Sequence, residues 1–230
     1  MARVLARAGA RVLAVARRKE LLESVAASVP DAGGSIQTCV ADLTSEAGIQ
    51  EVNQAVEQSG GCDVLVANAG ILELGALAEV SAATFSRVLE VNLMSQWALA
   101  KSLLTFLKAS KAGRIINIAS IVGVGGPVRM GIGPYAVSKH ALIGLTRTQA
   151  VEWAPFGITA NAIAPGYHYT ELTEKALNDP EASERLKRFI PLGRFGAPHE
   201  LATALLFLAS PASSYVTGIV LPVDGGWTSW

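Results

Sequence analysis

The run Tyr135-Ala136-Val137-Ser138-Lys139 sets a phenol and an ammonium four residues apart, directly after Pro134. A proline at this position opens a helix, and residues four apart on a helix share one face. The Tyr135 phenol and the Lys139 ammonium are therefore expected to point into the same space. A free phenol has a pKa near ~10, so a base that works at neutrality needs a shift of about three units, worth about 4 kcal/mol. One ammonium at about 4 Å supplies that amount at an effective dielectric of about 20. The pair thus predicts a proton-transfer site, with Tyr135 as general acid/base and Lys139 as the group that lowers its pKa.

Those side chains need a frame. Six runs read as strands: Arg11 to Ala16, Ser35 to Val40, Asp63 to Ala67, Arg114 to Ile118, Thr159 to Ile163 and Ile219 to Pro222. Between them lie helical stretches at Lys19 to Ser28, Ser45 to Gln58, Ala82 to Leu107, Tyr135 to Trp153 and His199 to Leu208. Such alternation predicts a doubly wound, Rossmann-type α/β fold with a mostly parallel sheet, as a single domain over residues 1–230. Arg3, Arg7 and Arg11, with no acid before Glu20, have the look of a transit peptide. The preferred reading is a helix end, Ala2 to Ala8, closed by Gly9 as a left-handed cap and followed by the first strand.

Composition narrows the partners. Half of the 230 residues are hydrophobic, and 19 basic side chains balance 19 acidic ones. That length builds a sizeable core, and the balance leaves no electrostatic footprint for nucleic acid or an anionic membrane. No apolar run approaches the ~20 residues of a membrane span. Cys39 and Cys62 lack metal-type spacing and adjoin apolar runs, so no metal is expected; two reduced core thiols are the preferred reading, with a disulfide as the alternative. The expected protein is cytoplasmic, and its partners are small molecules or further protein subunits.

Other residues fall in a telling order: Asn68-Ala69-Gly70, then Asn92, Ser120, the Tyr135/Lys139 pair, Pro165-Gly166 and Asp224-Gly225-Gly226. Over essentially the whole chain this order resembles the short-chain dehydrogenase/reductase family. The resemblance implies an NAD(P)-dependent alcohol dehydrogenase or carbonyl reductase, in which Lys139 also bonds the nicotinamide ribose. Ser120 would donate to the substrate carbonyl oxygen and stabilise its developing charge, and Asn92 would anchor a water linking Lys139 to solvent. It further implies that Asp42-Leu43 meets the adenine amino group, and that the Asn68-Ala69-Gly70 turn lets a ribose approach. Pro165 and Gly166 would open the loop that grips the nicotinamide, with the His168 backbone facing the carboxamide and Thr170 offering its hydroxyl. Plain structural readings stand beside these roles: Asp42 capping the helix from Ser45, Asn68 holding a turn, Ser120 ending a strand, Asn92 kinking a helix. The family usually has an aliphatic or aromatic residue where His168 stands, so only backbone contact is assigned to it.

In dinucleotide folds, a carboxylate at the end of this strand accepts the ribose 2′-hydroxyl of NAD, whereas an arginine accommodates the 2′-phosphate of NADP. Here Ala16 is followed by Arg17 and Arg18, with no acid until Glu20. Guanidinium chemistry suits phosphate, so NADP(H) is favoured over NAD(H); the alternative is two solvated arginines at a loop. The substrate pocket is expected between residues 121–134, with Arg129, and a lid from Tyr167 to about Leu192. That lid carries Tyr167, His168, Tyr169 and Glu171, and a basic cluster of Arg185, Lys187 and Arg188. Within the family, Ile115 to Ser120, Gly125 to Arg129 and Val223 to Trp227 look most like sugar-acid dehydrogenases of the gluconate 5-dehydrogenase and 2-deoxygluconate 3-dehydrogenase type. Arg129 would pair with a sugar-acid carboxylate and Tyr167 would line the pocket. The alternative is a 3-oxoacyl-carrier-protein reductase, its basic lid docking an acidic carrier.

The resemblance also exposes an anomaly. The family places a strand and a Thr-Gly-x-x-x-Gly-x-Gly loop before the helix at Ala2 to Ala8, and neither occurs in this sequence. That strand would lie between Arg11 to Ala16 and Asp63 to Ala67, and the loop would present backbone amides to the cofactor pyrophosphate. An interrupted sheet and lower stability and cofactor affinity are therefore expected. A start site taken too far downstream, or a shortened product, is the preferred account; a non-catalytic subunit is the reading of another class. Finally, the two long helices and the carboxyl-terminal strand and tail are expected to build a homo-tetramer or homo-dimer, with Trp97, Trp153, Trp227 and Trp230 on or beside them.

Overall fold

The computed structural model describes residues 1–29, 33–125, 131–170 and 173–229. Six strands lie close to the predicted positions: β1 (Arg11–Ala16), β2 (Ser35–Val40), β3 (Val64–Ala67), β4 (Arg114–Ile118), β5 (Thr159–Pro165) and β6 (Val220–Val223). Every ladder is parallel, as strands joined by helical crossovers require. β4 is buried at all five positions, the mark of a parallel strand covered on both faces.

The strands form two ladders rather than one, β1-β2 and β3-β4-β5-β6. The interruption falls between β1 and β3, where the resemblance puts a further strand. Side-chain packing nevertheless bridges it on both faces. Leu13 and Val15 of β1 join the cluster of Leu65, Leu99, Leu103 and Ile115 on one side. On the other, Leu5 packs with Val64, Val66, Ile116 and Leu205.

Helices cover both faces. α1 (Ala2–Arg7) ends as predicted before a left-handed glycine, Gly9, at φ 94°. α2 (Lys19–Ala27) follows β1, and α3 (Glu46–Gln58) starts at Ser45, whose hydroxyl accepts from the Gly48 amide at 3.0 Å. Ser45 is thus the cap, not Asp42. The single helix predicted over Ala82 to Leu107 is broken into α4 (Ala82–Leu89), a π-helical turn (Glu90–Met94), α5 (Ser95–Ser102) and α6 (Leu104–Ala109). A single π-helical turn of five residues is too short to mark itself in the sequence, so sequence reading passes over it.

α7 (Ile121–Val124), α8 (Gly133–Glu152), α9 (Glu174–Asn178), α10 (Pro180–Lys187) and α11 (Glu200–Ala209) complete the chain. α7, α9 and α10 were not predicted, being too short for a helical period to show. Asp179 caps α10, accepting from the amides of Glu181 and Ala182 at 2.9 and 3.0 Å. Arg129, Glu171 and Trp230 lie outside the described residues. Cys39 and Cys62 are free thiols, not a disulfide.

Candidate active site

The end of β4 and the start of α8 bring the chemistry together. Ser120 caps α7 with its hydroxyl 3.4 Å from the Val122 amide. α7 lies directly on the backbone of α8: a Cβ at Gly123 would stand 2.7 Å from the Lys139 carbonyl oxygen. Only glycine permits that approach, and it carries Ser120 to the first turn of α8. There Pro134 occupies the opening turn, as predicted, and the Ser120 side chain lies within hydrogen-bonding reach of the Tyr135 phenol. Lys139 lies one turn on, its ammonium 5.6 Å from the centre of the Tyr135 ring.

The expected electrostatics are corrected here. The Tyr135 pKa is raised rather than lowered: burial raises it most, the Ser120 side chain works against that rise, and the nearby Tyr167 phenol adds to it. Lys139 is itself buried and donates to the Ile118 carbonyl oxygen at 2.7 Å. Burial pushes its ammonium down to about 8. Coulomb attraction between the two groups favours their charged forms, whereas desolvation opposes the charged form of both. Tyr135 therefore rests as the neutral phenol, the form that donates a proton.

Asn92 holds the opposite wall. The π-helical turn places it fully inside, where Oδ1 accepts from the Ile71 amide at 2.7 Å. Its Nδ2 donates to the Ile71 carbonyl at 2.9 Å and to Ser138 Oγ at 3.0 Å. Asn92 thus ties the turn after β3 to α8. Gln96, which sequence reading missed, supports the same turn by donating to the Ala69 carbonyl at 3.2 Å. No motif in the sequence marks Gln96, which the structure buries one turn beyond Asn92. The result is a bare stretch of backbone at Gly70. A Cβ there would lie 3.4 Å from Asn92 Oδ1 and 3.6 Å from Lys139 Nζ. Ala69 is half-buried in this turn and Asn68 is exposed beside it.

Beyond β1 and β2 the character changes. Asp42 accepts from the Thr44 amide at 3.0 Å and the Thr44 hydroxyl at 2.7 Å. These two bonds, with a smaller contribution from Arg17, hold its carboxyl below the ordinary range. Leu43 turns its side chain into the core, so contact with a cofactor falls to its backbone. Arg17 and Arg18 are exposed, and Arg18 is the residue from which α2 starts. A cavity of about 370 Å³ opens beside them, lined by Arg17, Thr44, Ile71, Arg87, Glu90 and Val91 among others. Arg87 was not singled out in the sequence.

The third wall is the loop after β5. The Gly166 amide donates to the Val223 carbonyl at 3.0 Å, and a Cβ on Gly166 would stand 2.7 Å from Asp224 Cα. This close approach accounts for Pro165-Gly166 opposite Asp224-Gly225-Gly226. The His168 ring is buried against Gly196 and has Nδ1 3.2 Å from the Gly166 carbonyl. Its carbonyl accepts from the Thr173 hydroxyl, and the Thr170 hydroxyl bonds to Thr173 at 3.0 Å. Tyr167 meets Trp227 edge-on, ring centres 5.0 Å apart, and packs with Tyr135 around one apolar cluster that includes Ile121 and Ile190.

Asn92, Ser120, Tyr135, Lys139 and Gly70 thus share one neighbourhood, with Tyr167 on its apolar side and Arg17 beyond its far edge. A nicotinamide dinucleotide fits both ends of this arrangement. Bare backbone at Gly70 leaves room for a ribose beside Lys139, and the cavity at Arg17 offers guanidinium groups to a phosphate. No cluster of side chains able to hold a metal occurs among the described residues. No helix among them is long and apolar enough to cross a membrane.

Comparison with known proteins agrees with this geometry. Residues 1–228 match the family model described as enoyl-(acyl carrier protein) reductase. The 3-oxoacyl-(acyl-carrier-protein) reductase of Thermotoga maritima is 39% identical over 225 residues, 97% of this chain and 89% of the relative. The 2-dehydro-3-deoxy-D-gluconate 5-dehydrogenase of Dickeya dadantii is 38% identical over 230 residues, 99% of this chain and 89% of the relative. Among solved structures, the gluconate 5-dehydrogenase of Burkholderia cenocepacia in complex with NADP and tartrate is 36% identical, with a TM-score of 0.92, covering 100% of this chain and 89% of that one. The parallel α/β frame, the ordered motifs and these relatives lead to one conclusion: the chain belongs to the short-chain dehydrogenase/reductase family and is an oxidoreductase.

Proposed function

We propose that this protein is an NADP(H)-dependent oxidoreductase acting on a carbonyl or secondary alcohol of a sugar acid or polyol, with Tyr135 as general acid/base. The observation that carries this reading is the Ser120 side chain beside the Tyr135 phenol, together with a buried Lys139 whose ammonium adjoins bare backbone at Gly70. The nicotinamide, when bound, supplies or accepts the hydride. The protein's own part is proton handling. Ser120 donates to the substrate carbonyl oxygen, which holds that oxygen against the phenol. Tyr135 gives its proton to the same oxygen as charge develops there. Lys139, still largely protonated at neutral pH, stabilises the phenolate left behind and bonds the ribose beside Gly70. Alcohol oxidation reverses these transfers, and the resting phenol suits reduction. Asn92 positions the floor of the site through Ile71 and Ser138.

Arg17 and Arg18, with no nearby acid in sequence before Glu20, support NADP(H) over NAD(H). Relatives named for dehydrogenation of sugar acids and their derivatives support the substrate class. Tyr167 lines the pocket in this reading, and Arg129 is assigned the substrate carboxylate. Exposed apolar side chains on the two long helical segments, Met94, Trp97, Val137 and Val151, support a homo-tetramer or homo-dimer. Free thiols at Cys39 and Cys62 agree with a cytoplasmic location.

A second reading is favoured by a specific feature. Arg185 and Arg188 stand exposed at the end of α10, while Lys187 pairs with Glu184 at 2.8 Å. Together with the relatives named as 3-oxoacyl-(acyl-carrier-protein) reductases, this suits docking of an acidic carrier protein. NADPH consumption with keto sugar acids and with a 3-oxoacyl carrier protein, each across a salt series, separates the two. The preferred reading expects turnover of the keto sugar acid with little salt dependence. Turnover confined to the carrier-bound substrate, and falling steeply with salt, would replace it with the second.

A further inference from the structure

We propose that Arg87 is a second guanidinium for the 2′-phosphate of the dinucleotide, closing with Arg17 on one phosphate monoester in the cavity that both line. This deepens the NADP(H) reading and rests on it. The two arginines are 70 residues apart in sequence, one in the turn after β1 and the other in the last turn of α4, yet they line the same cavity of about 370 Å³. Both are exposed, and the ion pairs among the described residues are Lys19–Glu23, Lys187–Glu184 and Arg194–Glu200, so neither guanidinium is spent on a carboxylate. Asp42, the acid electrostatically coupled to Arg17, already accepts twice from Thr44.

The rest of the cavity suits what is attached to that phosphate. Ile71 and Val91 offer aliphatic surface to a flat base, and Thr44 places a hydroxyl near the ribose. Glu90 lies three residues after Arg87 and lines the same cavity as an acceptor. Asn92 fixes the Ile71 backbone on one side, and the same π-helical turn that contains Asn92 also contains Glu90 and Val91. The device that buries Asn92 therefore also sets the wall of this cavity. A planar guanidinium holds a phosphate oxygen pair in a way an ammonium cannot match.

The test uses the whole chain and two ligands that differ only in the phosphate, 2′,5′-ADP and 5′-AMP, titrated by calorimetry. Wild type is expected to bind 2′,5′-ADP at least about tenfold more tightly, a charge-assisted bond being worth that or more. Arg87→Ala should weaken 2′,5′-ADP by about tenfold and leave 5′-AMP within about twofold, while Arg87→Lys recovers only part of the loss. Unchanged 2′,5′-ADP affinity in Arg87→Ala, alongside a clear loss in Arg17→Ala, would overturn the role of Arg87 and leave the NADP(H) reading standing. Equal weakening of both ligands by Arg87→Ala would also overturn it. Wild type without preference for 2′,5′-ADP, or without binding, would remove both. Arg87 is exposed, so the fold of each variant is expected to be intact, with circular dichroism as the control.

Discussion

The four-stranded and two-stranded parts of this molecule differ in burial. β4 is buried along its whole length and β5 at six of seven positions, whereas β1 has no fully buried residue and β2 only one, Cys39. The difference follows from cover. β4 and β5 lie between α8 on one face and α11 on the other, while β1 and β2 form a two-stranded ladder with free edges. It teaches how the work is divided. In the proposed reading, proton transfer needs groups held away from water, and Ser120, Tyr135 and Lys139 rise from the deep part. The same reading gives choice of nucleotide to exposed charge, and Arg17, Arg18 and Arg87 stand exposed around the shallow part.

The largest expected effect breaks the deep part without touching the shallow one. Tyr135→Phe should lower turnover by about 10²- to 10⁴-fold and leave NADPH affinity within about twofold; steady-state kinetics and calorimetry check this together. Next come paired core truncations. Ile116→Ala in β4 should destabilise by about 2–5 kcal/mol, whereas Ile36→Ala in β2, half-buried, should remain near about 1 kcal/mol. Urea denaturation measures both, and comparable losses would erase the contrast. Asn92→Ala leaves the Ile71 amide and carbonyl without partners and should lose about 2–3 kcal/mol, with amide exchange rising at Ile71.

The last expected effect has the opposite sign. Lys139 is lowered from an ordinary 10.5 to about 8, so its buried charge destabilises the fold at pH 7. Lys139→Met removes that charge and loses the bond to Ile118, for a net gain of about 2 kcal/mol and a loss of activity. Between pH 8 and 10.5 the unfolded chain binds the proton that the folded one has released, so wild-type stability rises with pH across that window. The advantage of Lys139→Met should therefore be full below pH 8 and fade toward pH 10.5, as thermal melts across that range would show.

Much of this was legible because it is periodic. Alternating strands and helices gave the α/β frame, Gly9 marked its turn, and the four-residue step from Tyr135 to Lys139 put both on one face. The break in the sheet between β1 and β3 was also expected, from motif order. What stayed hidden depends on three-dimensional proximity. The pKa of Tyr135 is governed by burial that spacing does not encode. The π-helical turn at Glu90–Met94, which buries Asn92, spans only five residues and leaves no mark in the sequence. Arg87 looks like any solvent-facing arginine until the structure puts it in the lining of the same cavity as Arg17, and Gln96 has no motif around it.

The central claim is that both parts act on one NADP(H), and calorimetric titration of this chain with NADPH and with NADH tests it most directly. Binding of both, with NADPH at least about tenfold tighter, is the expected result. Equal affinity, tighter NADH, or no binding of either would contradict it.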